Sequence, residues 1–366
     1  MYTRRQRKQD GRIIIVYGTQ WGSEAKGTIA EYLCPIASAT IRTGAANAGH
    51  TIYFNGQRIV MRQLPVGWTS THVKLMIGAG AMISLDLLLE EINMIEKLTN
   101  ISGRIFIDAK AHVITSDDIT QEEVSDLAQR IGSTSARSRE GIGTATANKV
   151  LRAESRIQAK DIPELQRYLA DTSTMVNDIL NSGEIVLVEG TQGHELSLDH
   201  GSFPYVTSRD TTVMAIAAAS GIPIHEFDCD VVGVTRTYPI RVAGNSGPFG
   251  ADSEELSWAE VSERSGSKQG FEERTTVTGL PRRVSTFSWE QFAKSCKINR
   301  PTEIALTFAD YLDWTIRGKD YISRSVEEFI TQVEKVAECD VTIVQTGPES
   351  TIDMDSYRSS ILRRIR

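Results

Sequence analysis

The chain has 366 residues, is 40% hydrophobic and 24% charged, and carries a net charge of −7. These values fit one large α/β domain with insertions, or two domains, and exclude collagen-like or disordered classes. The acidic balance argues against a surface that coats nucleic acid, and no apolar run approaches the ~20 residues that span a bilayer.

In chain order, the N-terminal "TRRQRK" is expected to be part of a flexible, solvated basic arm over residues 1–11. No signal-like apolar core accompanies it, so the chain reads as cytoplasmic. "RIIIVYG" reads as a buried strand and "GTIAEYLCPIA" as a helix, joined by the loop "GTQWGSEAKGT". Strand, glycine loop and helix open a parallel α/β sheet. "ATIRTG" is a second strand, followed by "NAGHT" on a loop and a hairpin whose turn is Asn55-Gly56. "VKLMIGAGAMISLDLLLEEINMIEKL" repeats strand, loop and helix, with Ser84 as N-cap.

A polar, mostly helical insertion is expected over about 118–183, with helices at Glu122–Arg130 and Pro163–Leu180. The long loop "GSTSARSREGIGTATANK" lies between them. The sheet then resumes with "EIVLVEGTQG", "CDVVGVTRTYPI", "EIALTFADYLD" and "VTIVQTGPES". A small-residue helix, "TSRDTTVMAIAAASG", is closed by Gly221. The four cysteines, Cys34, Cys229, Cys296 and Cys339, form no C-x-x-C pair, which fits free thiols in a reducing compartment.

The polar runs fall at the C-terminal ends of the expected strands, where open α/β sheets bind ligands. In "GTQWGSEAKGT" the glycines let backbone N–H groups approach phosphate oxygens, Lys26 adds a point charge and Thr28 a hydroxyl. A P-loop reads G-x-x-x-x-G-K-[ST]. Here the lysine precedes the glycine, so a plain strand–helix turn stays open. His50 is a candidate acid or hydrogen-bond donor, or a lone surface histidine. Gln192 suits a purine edge, Arg282-Arg283 an anion, and Asp310 a base or ribose; a surface turn is the alternative for each. The residues alone reach a nucleotide-using enzyme that transfers a phosphoryl group.

"GTQWGSEAKG", "NAGHT", "VEGTQG…LDHGSFPYVTSRDTT", "TTVTGLPRR" and "VQTGPES" resemble, in order and spacing, the motifs of adenylosuccinate synthetases. The resemblance implies a P-loop-related, mostly parallel sheet flanked by helices, and a homodimer. It also implies a two-step ligase reaction: a triphosphate phosphorylates the 6-oxygen of a purine monophosphate, and the amine of L-aspartate displaces phosphate. Ser23, Ala25, Lys26, Gly27, Thr28, Gly49, His50 and Thr51 would then hold the donor phosphates. Asp310, Gln345, Thr346, Gly347 and Pro348 would surround the donor base. Ser23 and Gly49 would face Mg²⁺, and Ser23, Lys26 and His50 would be catalytic. The acceptor nucleotide would meet Ser23, Asn47, Ala48, Ser133, Thr134, Gln192, Thr207 and Leu280, with Arg152 reaching in from the partner subunit. Thr276, Val277, Thr278, Gly279 and Arg282 would bind aspartate.

Three positions depart from the family pattern. Ser23 replaces the aspartate of G-D-E-G-K-G, which leaves room beside C2 of the purine and offers a hydroxyl to a 2-amino group. Leu280 replaces an arginine near the sugar, which favours a deoxyribose. Phe308 replaces a lysine before Asp310. These changes resemble a viral branch of the family that joins aspartate to dGMP, with ATP or dATP as donor. An adenylosuccinate synthetase using IMP and GTP is the alternative.

Overall fold

The structure is a computed structural model that describes residues 11–125, 140–275 and 279–365. Its centre is a ten-stranded sheet. In spatial order the strands are Leu169–Ala170, Ile105–Asp108, Lys74–Ile77, Ala39–Arg42, Ile185–Glu189, Arg12–Gly18, Asp228–Arg236, Glu303–Thr307, Asp340–Gly347 and Ser350–Asp353. Every pairing is parallel except the last, which closes the edge as an antiparallel hairpin.

Strand periodicity explains why "RIIIVYG" has no polar face. Ile13, Ile15 and Tyr17 pack on one side of the sheet with Val176 and Ile216. Ile14 and Val16 pack on the other with Ile29, Trp68 and Leu88. Both faces are covered, so the functional groups are left to the edge where the strands end.

The hairpin His50–Phe54/Gln57–Met61 forms as its turn predicts, with Asn55 (φ 51°) and Gly56 (φ 74°) both left-handed, as a type I′ turn requires. His50 is therefore the first residue of a strand rather than a member of a free loop. The helix Val213–Ser220 is capped by Thr212 and closed by Gly221 at φ 69°, as expected. Ser84 sits at the N-cap of Leu85–Glu96, but its side chain makes no capping bond.

The helices of the insertion differ from those expected. A helix starts at Ser116, not Glu122, because Thr115 and Asp118 form a capping box. The second helix is Ile142–Leu151, inside the segment expected to be a loop. Pro163–Leu180 is not one helix. It is a 3₁₀ turn (Pro163–Tyr168), an edge strand of the main sheet (Leu169–Ala170), and a helix (Thr172–Asn181) capped by Asp171. Residues 1–10 of the expected arm lie outside the described residues, whereas Gly11 is buried against Leu180.

Candidate active site

The first strand ends at Gly18, and the chain then turns tightly around a carboxylate. Glu24 is fully buried, and its Oε1 accepts the backbone N–H groups of Gln20 (3.1 Å) and Gly22 (2.8 Å). Its Oε2 pairs with Lys26 Nζ at 2.5 Å. Gly18 has no room for a side chain, since a Cβ there would sit 2.6 Å from Glu24 Oε2. Gly22, Ser23 and Ala25 all adopt left-handed φ (89°, 58° and 64°). Such a run of turned residues makes a concave, N–H-lined nest suited to an anion. Holding two non-glycine residues there costs about 1–2 kcal/mol each.

The loop opens on a cavity of about 470 Å³ at the C-terminal ends of the strands. Ser23, Ala25, Lys26, Gly27 and Thr28 line it, as do Asn47, Ala48, Gly49, His50 and Thr51 from the hairpin segment. Gln192 and Arg282 complete one end, and Asp310, Gln345, Gly347 and Pro348 the other. Most of the residues expected from separated motifs thus share one wall.

His50 is brought against the loop because Gly27 has no side chain; a Cβ there would lie 2.6 Å from His50 Cβ. The imidazole is 5% exposed, and its Nδ1 lies 3.1 Å from Glu189 Oε2. Burial, with Arg42 and Lys26 nearby, pushes its pKa well below the usual value. Burial pushes Glu189 up to about 7, against the pull of Arg42 and the amides of Val66 and Gly67. His50 Nε2 is buried with no hydrogen-bond partner among the described residues. The same holds for Gln192 Oε1, whose Nε2 donates to Thr207 Oγ1 (2.8 Å) and Asn47 Oδ1 (3.3 Å). Two orphaned polar atoms in one cavity wall point to a polar ligand.

Ser23 is held from two sides. Arg282 donates to its hydroxyl at 2.7 Å, and Arg236 to its carbonyl at 3.1 Å. Arg236 also pairs with Glu273 and lies 3.9 Å from the Phe308 ring centre. Burial would raise Glu273, but Arg236 and Arg282 draw its pKa below the usual range. At the far end, burial raises Asp310 to about 6 although Arg317 pairs with it. Arg317 in turn stacks 4.4 Å from Trp314.

Several expected residues lie elsewhere. Leu280 does not line the cavity, because the segment after Glu273 folds back on itself. Thr275 N–H donates to the Leu280 carbonyl (2.9 Å), and Arg282 N–H to that of Glu273 (2.8 Å), leaving Leu280 and Gly279 exposed. Thr346 is buried behind the wall, its hydroxyl donating to the Lys319 carbonyl at 2.7 Å. Thr207 meets the site through Gln192, and Arg152 is exposed at the end of the Ile142–Leu151 helix. Ser133, Thr134, Thr276, Val277 and Thr278 lie outside the described residues.

A divalent ion finds a limited donor set. Among the described residues no three His, Cys, Asp or Glu side chains converge. Glu24 is committed to Lys26, and the Ser23 hydroxyl accepts from a guanidinium, a poor setting for the metal contact expected of it. The set suits Mg²⁺ held mainly by phosphate oxygens and water; Gly49, expected to face it, lines the cavity.

Sequence reasoning passed over Glu24, Arg42, Glu189, Arg236, Glu273 and Arg317. Glu189 carried a faint signal, a carboxylate closing an otherwise apolar strand just before "GTQG".

A nest of amides opening on a shared cavity at the carboxyl edge of a parallel sheet defines a nucleotide-using α/β enzyme. The chain belongs to the adenylosuccinate synthetase family, whose profile matches residues 15–162 and 159–318. It is accordingly a triphosphate-dependent ligase that forms a C–N bond between a purine nucleotide and aspartate. The adenylosuccinate synthetase of Methanocaldococcus jannaschii is 39% identical over 349 residues, covering 93% of this chain and 96% of that protein. That of Thermococcus onnurineus is 37% identical, covering 92% and 96%. Among solved structures, the succinoaminodeoxyadenylate synthetase of cyanophage S-2L, bound to dGMP and to dATP as energy donor, superposes with TM-score 0.79. It is 30% identical and covers 97% of this chain and 99% of its own. The fully ligated Plasmodium falciparum adenylosuccinate synthetase has the same fold, with TM-score 0.80, 22% identity, and coverage of 94% and 100%. No described helix is long and apolar enough to cross a membrane.

Proposed function

We propose that the acceptor is dGMP and that the product is N6-succino-2-amino-2′-deoxyadenylate, a precursor of diaminopurine DNA in a phage. ATP or dATP is the proposed donor. The observation that carries this reading is Ser23, which presents to the cavity a small neutral hydroxyl anchored on Arg282. A carboxylate there would crowd a 2-amino group; a hydroxyl leaves room and can accept from it. The cyanophage structure, with dGMP and dATP bound to a relative 30% identical, supports the same acceptor and donor.

In this reading the 6-oxygen of dGMP attacks the γ-phosphorus, the diphosphate leaves and the N1 proton is lost. The aspartate amine then attacks C6 and phosphate leaves. Lys26 and the nest of residues 22–25 hold the donor phosphates. Mg²⁺ bound to those phosphates neutralises charge that builds on them. His50 Nε2 faces the 6-oxygen and its departing phosphate. Gln192, fixed by Thr207 and Asn47, reads the base edge, and Arg282 is the partner of the aspartate carboxylate. Asp310, Gln345, Gly347 and Pro348 surround the donor base. The exposed Val150, Leu151 and Arg152 form part of a homodimer contact through which Arg152 enters the partner's site.

The second reading, an adenylosuccinate synthetase using IMP and GTP, is favoured by the names of the archaeal relatives at 37–39% identity. Phosphate release with L-aspartate, Mg²⁺ and ATP, offering dGMP, GMP, IMP and dIMP in parallel, separates the two. Turnover mainly on dGMP supports the proposal. Turnover on IMP alone overturns it.

A further inference from the structure

We propose that Glu189 is a positioning residue for His50, fixing which ring nitrogen meets the reacting oxygen. Glu189 closes the strand Ile185–Glu189 and is 1% exposed. Three groups converge on its carboxylate. Val66 N–H donates to Oε1 at 2.6 Å, His50 Nδ1 lies 3.1 Å from Oε2, and Arg42 Nη1 lies 3.8 Å from the same oxygen. Arg42 is itself anchored, donating to the carbonyls of Ala48 and Arg62, on either side of His50 in the chain.

Glu189 Oε2 engages Nδ1, so Nε2 is the ring nitrogen left for the cavity. That nitrogen has no partner among the described residues. Val66 N–H bonds to Oε1, whereas Arg42 Nη1, at 3.8 Å, is too far from Oε2 for a hydrogen bond. The second oxygen of Glu189 therefore serves the ring, as the buried acid of a Ser-His-Asp triad orients its histidine. The Gly27 helix closes the other side of the ring, where a side chain would collide with His50 Cβ. The ring is thus gripped at Nδ1 and Cβ, with Nε2 left unpartnered among the described residues.

The inference rests on His50 acting at the reacting oxygen, but not on which purine is the acceptor. The test uses the full chain and whichever acceptor it turns over. Steady-state constants are measured for Glu189→Ala, Glu189→Gln, His50→Ala and the double variant Glu189→Ala/His50→Ala, with thermal unfolding alongside. Glu189→Gln keeps the shape and the acceptor for Val66 but can turn an amide N–H toward Nδ1, so it keeps the test decisive should the alanine variant not fold. Both Glu189 variants are expected to lower kcat by roughly 10–100-fold with KM little changed. Once His50 is alanine, loss of Glu189 is expected to cost nothing more. In nitrogen-15 NMR the His50 ring signals of Glu189→Gln are expected to shift. Wild-type kcat in Glu189→Gln overturns the inference, and so does an equal kcat loss with and without His50, which marks a purely structural carboxylate. A fully active His50→Ala overturns both this inference and the assigned role of His50.

Discussion

Position 23 concentrates the chemistry of the site in one small side chain. Its backbone is held at a left-handed φ of 58° by Arg236 on its carbonyl, and its hydroxyl by Arg282, so a substitution acts directly on the base edge. Ser23→Asp would place a second carboxylate next to Glu24 and pair it with Arg282. On the proposed function, kcat/KM for dGMP is expected to fall by roughly 10–100-fold, equivalent to the 1–3 kcal/mol of a mismatched buried polar group. Steady-state kinetics on dGMP and IMP check this, and an unchanged dGMP value removes the steric account. A second residue-scale effect lies outside the chemistry. His194 is 0% exposed, and its Nδ1 accepts from Asn299 at 3.2 Å. Burial, with Lys294 and His200 nearby, lowers its pKa from 6.5 to about 4. Between those values the unfolded chain binds a proton that the folded chain does not. The stabilisation is therefore complete above pH 6.5 and is lost as pH falls, by up to about 1.4 kcal/mol per unit. The difference in denaturant midpoint between wild type and His194→Gln from pH 7 to 4 should show this slope, because the raised carboxyls of Glu189 and Asp310 act in the same range with the opposite sign.

At the scale of elements, the helix Lys26–Leu33 and the hairpin starting at His50 are in contact through a missing side chain. Gly27→Ala puts a Cβ 2.6 Å from His50 Cβ and 3.1 Å from its Cα, neither of which can rotate away. The helix must shift, taking Lys26 with it. A stability loss of about 1–3 kcal/mol is expected together with a marked fall in kcat. Denaturation and phosphate-release assays read the two separately, and normal turnover would show that the two elements are not locked. Elements with strong local signals were legible in the sequence: the strand "RIIIVYG", the Asn55-Gly56 turn, and the Thr212-capped helix closed by Gly221. Ile142–Leu151 was not, because glycine, threonine and asparagine are weak helix formers. Tertiary contact holds it instead, including Asn148 Nδ2 donating to Asp118 Oδ1 at 2.8 Å. The site divided in the same way. The glycine loop and "NAGHT" announce themselves locally, whereas His50 and Glu189 are 139 positions apart and their pairing depends on the closed sheet.

At the scale of the molecule, the proposed dimer can be tested by subunit mixing. Arg152 is exposed on this chain and has no place in its own cavity. If it serves the partner, Arg152→Ala and His50→Ala chains are each nearly inactive, yet their hybrid contains one intact site. An equimolar, re-equilibrated mixture is then expected to recover about a quarter of wild-type activity, the share expected for a two-fold dimer. No recovery would place Arg152 in its own subunit's site, and an active Arg152→Ala chain would place it outside catalysis. The sheet order carries a broader consequence. The first strand lies between Ile185–Glu189 on one side and Asp228–Arg236 on the other. Gln192 follows the former; beyond the latter, Asp310 follows the strand Glu303–Thr307 and Gln345 lies in the strand Asp340–Gly347. The residues proposed to read the two bases, Gln192 for one and Asp310 with Gln345 for the other, therefore sit on opposite halves of one sheet, with the phosphate loop between them. On the proposed function, a lineage can revise its reading of one purine while leaving the other untouched, so a change of genetic alphabet and a change of fuel would be separate evolutionary steps on this scaffold.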